Sequence, residues 1–132
     1  MAHLREVVDR YDVDGVELDW MRFTRHLRYG HEKEDAHFLT EFVREVRAHL
    51  DVVGAKRGHR IALGVRACYD PDLARTRMGL DIGIWAKEHL VDLVVPTGFY
   101  YADAGIAVRK WIACVGGVNP SVRVVPCIDS CH

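Results

Sequence analysis

Asp14-Gly15-Val16-Glu17-Leu18-Asp19-Trp20-Met21-Arg22 alternates apolar and polar side chains with period two. That is the pattern of a β-strand whose two faces meet different surroundings. Val16, Leu18 and Trp20 fall on one face; Gly15, Glu17, Asp19 and Met21 fall on the other. Two carboxylates on one side of a short strand are costly to bury unless they are paired or used. Asp19 and Arg22 stand at its carboxyl end, where parallel α/β sheets gather their chemistry. The stretch therefore reads as the active-site strand.

Upstream, residues 2–11 carry Leu4, Val7, Val8 and Tyr11 at helical spacing. Downstream, a polar, His-rich loop is expected over 21–33. Phe38, Leu39, Phe42, Val43, Val46 and Leu50 then predict an amphipathic helix over 34–51. A turn at 56–59 leads to a strand at 60–66, then a loop over 67–79 that contains Tyr69-Asp70-Pro71-Asp72. A short helix begins at Asp81, a third strand spans 91–96, and a loop with Phe99, Tyr100, Tyr101 and Asp103 follows. A helix over 106–115 and a strand at 122–127 complete the series.

The order is helix–strand repeated four times, and after the first interval the strands recur about every 30 residues, the length of a βα unit. Strands joined through helices make a parallel α/β sheet with right-handed connections. Both an open doubly wound sheet and part of a (β/α)8 barrel fit. No Gly-x-Gly-x-x-Gly follows any strand, which counts against a dinucleotide fold. A barrel takes about 250 residues, so one domain over 1–132 is expected to be a partial TIM barrel. Its sheet edges would need the missing half, or self-association, to cover them.

In a barrel, Val16, Leu18, Trp20, Ile61, Leu63 and Val65 would point outward to the helices. Gly15, Glu17, Asp19, Ala62, Gly64 and Arg66 would point inward, with Arg66 beside Asp19 on the next strand. A guanidinium binds a carboxylate bidentately and holds it ionised. Asp129 shares the parity of Val125 and Cys127 and would reach the same rim.

With 132 residues, a formal net charge of −1 and 49% hydrophobic residues, the composition is ordinary for one globular domain. It suggests neither a basic nucleic-acid surface nor a membrane patch, and no apolar run is long enough to span a bilayer. Met1 opens directly onto a helix, with no signal peptide expected; the compartment stays open. Cys68, Cys114, Cys127 and Cys131 form no Cys-x-x-Cys pair, and Cys127-x3-Cys131-His132 lacks a second ligand cluster, so no metal or other cofactor is expected.

Asp14 to Met21 resembles, without a gap, the Asp-Gly-x-Asp-x-Asp-x-Glu strand of the family-18 chitinases. Glu17 replaces the middle aspartate, Asp19 matches the last, and Met21 stands at that family's catalytic glutamate, so its substrate-assisted mechanism does not carry over. The longer Asp-Gly-Val-Glu-Leu-Asp-Trp-Met-Arg-Phe is similar to uncharacterised glycosyl-hydrolase-like barrels with the signature Asp-Gly-(Ile/Val)-x-(Leu/Phe)-Asp-(aromatic)-x-Arg-(Phe/Tyr). Gly64-Val65-Arg66 and Val95-Pro96-Thr97-Gly98-Phe99-Tyr100 resemble later strands of that group. The resemblance implies barrel strands four to seven and hydrolysis of O-glycosidic bonds in a poly- or oligosaccharide.

Glycoside hydrolysis uses two carboxyl groups flanking the scissile bond. Asp19 and Asp129 are the expected pair, with Glu17 and Asp70 as substitutes. Arg22 and Arg66 would orient carboxylates or bind an acidic sugar, and Phe99, Tyr100 and Tyr101 would offer a sugar platform. Two rival readings are a carbohydrate-binding relative that has lost hydrolysis, and a metal-dependent barrel hydrolase using His26, His31 and His37. For each feature there is a plainer role: an internal ion pair for Asp19 and Arg66, a structural acid for Glu17, a solvated loop for the histidines, a rim cap for the tyrosines.

Overall fold

A computed structural model describes residues 1–98 and 105–128. Four strands, β1 (Gly15–Asp19), β2 (Ala62–Cys68), β3 (Leu93–Thr97) and β4 (Arg123–Val124), alternate with five helices. The helices are α1 (Ala2–Arg10), α2 (Glu32–Arg57), α3 (Pro71–Met78), α4 (Ile82–Lys87) and α5 (Val108–Gly116). All strand pairs are parallel, in the spatial order β1-β2-β3-β4. Consecutive right-handed crossovers stepping in one direction put their helices on one face. Among these four strands the order never reverses, so there is no switch point of the doubly wound kind. The parallel α/β sheet expected from the repeat is present. With β1 and β4 as free edges among the described residues, it is an open sheet.

The alternation of β1 and β2 sorts their residues as the pattern requires. Leu63, Val65 and Ala67 are fully buried and pack with Val43, Val46, Leu50, Trp85 and Trp111 from the helices. Burying each of the large apolar side chains stabilises the fold by about 1.5–3 kcal/mol. Trp85 also donates its indole N–H to Thr40 Oγ1 at 2.9 Å, so its polar edge is satisfied inside the core. Trp20 joins this layer, edge-on to Phe42 and tilted against Trp85. Glu17, Gly64 and Arg66 lie outside the core cluster, on the opposite face.

Several boundaries differ from expectation. The segment 67–79, expected as a loop, contains α3. Asp70 caps it by accepting N–H bonds from Asp72 and Leu73, Pro71 occupies its first turn, and Gly79 ends it at φ +71°. These are the start and stop signals of a helix, and they outweigh its weak apolar periodicity. α2 runs from 32 to 57 rather than 34 to 51, because Glu32, Glu34 and Asp35 suit its amino end and Lys56 and Arg57 its carboxyl end. Gly58, left-handed at φ 79°, closes it with an N–H bond to Gly54 O. β4 is shorter than 122–127: two residues pair with β3, and a separate bridge joins Thr97 to Cys127. Met21, placed by parity with Glu17 and Asp19, instead turns into the core at 5% exposure, because β1 ends at Asp19.

Candidate functional site

The helix-free face carries Glu17, Asp19 and Arg66 on β1 and β2, and Arg123 on β4. The register sets Glu17 opposite Gly64 and Asp19 opposite Arg66. Glu17 lies across Gly64, where a Cβ would sit in ordinary contact, 3.6 Å from Glu17 Cγ and from Leu93 Cδ2. Arg66 donates Nε–H to Glu17 Oε1 at 2.9 Å, with the side chains 26% and 33% exposed. On its other side, Arg66 Nη1 donates to Cys127 Sγ at 3.5 Å. The bond to Glu17 raises the Arg66 pKa above its usual value.

Arg66 was expected to hold Asp19; it holds Glu17 instead. The longer glutamate reaches sideways over Gly64, whereas Asp19 is committed to the turn at its own strand end. Asp19 Oδ1 accepts the backbone N–H of Met21 at 2.8 Å. Among the described residues its other oxygen has no hydrogen-bond partner, and the residue is exposed at the carboxyl end of β1. Arg22 follows three residues beyond the strand, also exposed. Asp129, Tyr100 and Tyr101 lie outside the described residues.

Asp70 sits at the amino end of α3. Besides capping that helix it accepts Lys110 Nζ from α5 at 2.8 Å, and this bond, the largest cause, holds its carboxyl below the usual range. The histidines disperse. His26 Nε2 meets Trp20 O at 3.0 Å, His31 pairs with Glu34, and His37 Nδ1 meets Glu34 O. Among the described residues no three His, Cys, Asp or Glu side chains gather as metal ligands, and no helix is long and apolar enough to cross a membrane.

Three further residues lie in the loop after β1: Phe23 closes the strand motif, while Arg25 and Tyr29 fall outside it. Phe23 and Tyr29 expose 75% and 78% of their surface in the loop after β1, and Arg25 lies over the Tyr29 ring at 5.0 Å. The available signal was two aromatics and an arginine within a loop directly after the acidic strand, hidden by its general polarity.

In comparisons with known proteins, the chain matches no family model and no curated protein.

Proposed function

We propose that this chain is a segment of a glycoside-hydrolase-like (β/α)8 barrel whose helix-free face receives a poly- or oligosaccharide and hydrolyses its O-glycosidic bonds. The observation that carries the reading is the exposed Asp19 carboxylate: it ends a parallel strand, is oriented by one N–H bond, and among the described residues its second oxygen has no partner. The sequential strand order supports a barrel, because it leaves one face free of helices for an interior. Asp19 supplies one carboxyl group and Asp129 the other. Glu17, fixed by Arg66, is a positioning residue two places before Asp19 on the same strand face. Exposed Phe23 and Tyr29 supply apolar faces of the kind that stack on sugar rings. The separation of the two carboxyl groups sets the stereochemical outcome, about 5–5.5 Å for retention and about 6.5–9.5 Å for inversion.

Release of reducing sugar from a glycan panel tests this, with Asp19→Asn and Asp129→Asn as the decisive variants. Loss of turnover with retained glycan binding is expected for both. Hydrolysis that persists in both variants overturns the assignment. A binding-only relative is the second reading, favoured by one observation: Met21, at the position of the chitinase-pattern glutamate, is packed in the core. Calorimetric binding without any hydrolysis in the unsubstituted protein would select it.

A further inference from the structure

The loop between β1 and α2 meets α3 around a cavity of about 390 Å³, lined by Arg25, Tyr29, Glu32, Cys68, Leu73 and Arg77 among others. It adjoins the carboxyl end of β2, since Cys68 is that strand's last residue. Arg25 and Arg77 come from different elements, and among the described residues neither has a carboxylate oxygen within 4.0 Å. Arg25 Cζ lies over the Tyr29 ring, 5.0 Å from its centroid, a cation–π contact that engages the guanidinium without a carboxylate. The acid in the wall, Glu32, already accepts the backbone N–H of Gly30 at 3.1 Å. Its own backbone N–H, then that of Gly30, hold its carboxyl below the usual range, with the nearby charges of Arg77 and His31 adding to the effect. Leu73 and Met78 supply apolar walls. Glu32 offsets part of the Arg77 charge through space, and an anion entering beside the two guanidiniums accepts charge-assisted, bidentate hydrogen bonds.

We propose that this cavity is an anion subsite that takes the carboxylate, phosphate or sulfate group of an acidic sugar. The proposal rests on the carbohydrate reading above and adds a substrate class to it: the charged unit docks beside the rim that presents Asp19. The sequence pointed to Arg22 and Arg66 for an acidic sugar, but Arg66 is engaged by Glu17. Arg25 and Arg77 supply a further pair for that role.

Titration calorimetry of the 132-residue chain with glucuronate, glucose 6-phosphate, glucose 6-sulfate and glucose tests the proposal. At least one charged sugar is expected to bind about ten-fold or more tightly than glucose, with affinity falling as salt rises. The best of the three identifies the anionic group. Arg25→Gln and Arg77→Gln are each expected to weaken that binding about ten-fold and to leave the melting temperature in place, since both side chains are exposed; Arg77→Lys should restore only part, for want of the planar fork. Equal binding of glucose and the charged sugars, or a Gln pair that binds as the unsubstituted protein does, overturns the subsite. Inorganic phosphate binding as tightly as glucose 6-phosphate overturns the sugar assignment. The two readings fail separately. Charged sugars held by Arg25 and Arg77 with no glycan cleaved would sink the hydrolase and keep the subsite. Asp19-dependent cleavage of a neutral glycan, with no preference for charge, would do the reverse.

Discussion

The two ends of the same sheet use the same residue types in opposite ways. At the amino end, Arg47 is 5% exposed and donates to Ile61 O at 2.9 Å, to Asp51 at 2.8 Å and to Asp92 at 3.3 Å. Asp92 in turn accepts Arg60 Nε at 2.9 Å and the backbone N–H of Leu63 at 2.8 Å. At the carboxyl end, among the described residues, Asp19 accepts one N–H, and Arg25 and Arg77 line a cavity with Glu32 in its wall but no carboxylate oxygen within 4.0 Å of either guanidinium. A carboxylate tied to two guanidiniums and a strand N–H holds elements in place. A carboxylate with an oxygen to spare, at the end where strands lead into loops, is placed to meet a ligand. The contrast locates the candidate site more sharply than any motif does.

Matched substitutions at the two ends put this contrast at risk. Asp92→Ala is expected to cost about 2–3 kcal/mol, since it strips a partner from buried Arg47 and leaves the Leu63 N–H unanswered, while Asp51 still compensates part of the charge. Chemical denaturation measures it, and a loss below about 1 kcal/mol would erase the distinction between the ends. Asp70→Ala follows at about 1 kcal/mol for the lost cap. Lys110, then the capping N–H groups, lower the folded-state pKa of Asp70 below an unfolded value near 3.9. Its contribution is therefore present above about pH 4 and disappears as pH falls through the lowered folded value. The cost of Asp70→Ala should accordingly shrink in acid, as denaturation at pH 7 and pH 2.5 would reveal.

A double-mutant cycle on Glu17→Gln and Arg66→Met is expected to give a coupling of about 0.5–1 kcal/mol, as befits a pair about one-third exposed and screened by water. A coupling above about 3 kcal/mol would mean the pair is structural in the manner of Arg47 and Asp92. Asp19→Ala has the smallest expected effect on stability, at most about 0.5 kcal/mol, because solvent replaces its exposed hydrogen bond. A thermal melt that drops by more than a few degrees would move Asp19 from the functional to the structural group.

Most of the element order was legible because each strand and helix carries its own periodicity. Period two in 15–19 and apolar spacing in α2 are local properties, set by which face each residue shows. α3 was missed for a definite reason: with eight residues and little amphipathy, it is specified by its ends, Asp70-Pro71 and Gly79, rather than by its middle. The candidate site was half legible. Parity alone grouped Glu17, Asp19 and Arg66, but not which acid the guanidinium takes, because that depends on the reach of Glu17 across Gly64 and on the turn that claims Asp19.

By itself the sequence determined that the strands alternate with helices and are parallel, and that acidic side chains emerge on the face opposite Val16 and Leu18. Those follow from chain geometry, since successive side chains on a strand must point to opposite sides. Only the tertiary structure decided the partners: Arg66 with Glu17, Asp70 with Lys110, Arg25 and Arg77 around one cavity. Such pairings join residues far apart in the chain, and their reach, competing hydrogen bonds and neighbouring volume exist only once the elements have packed.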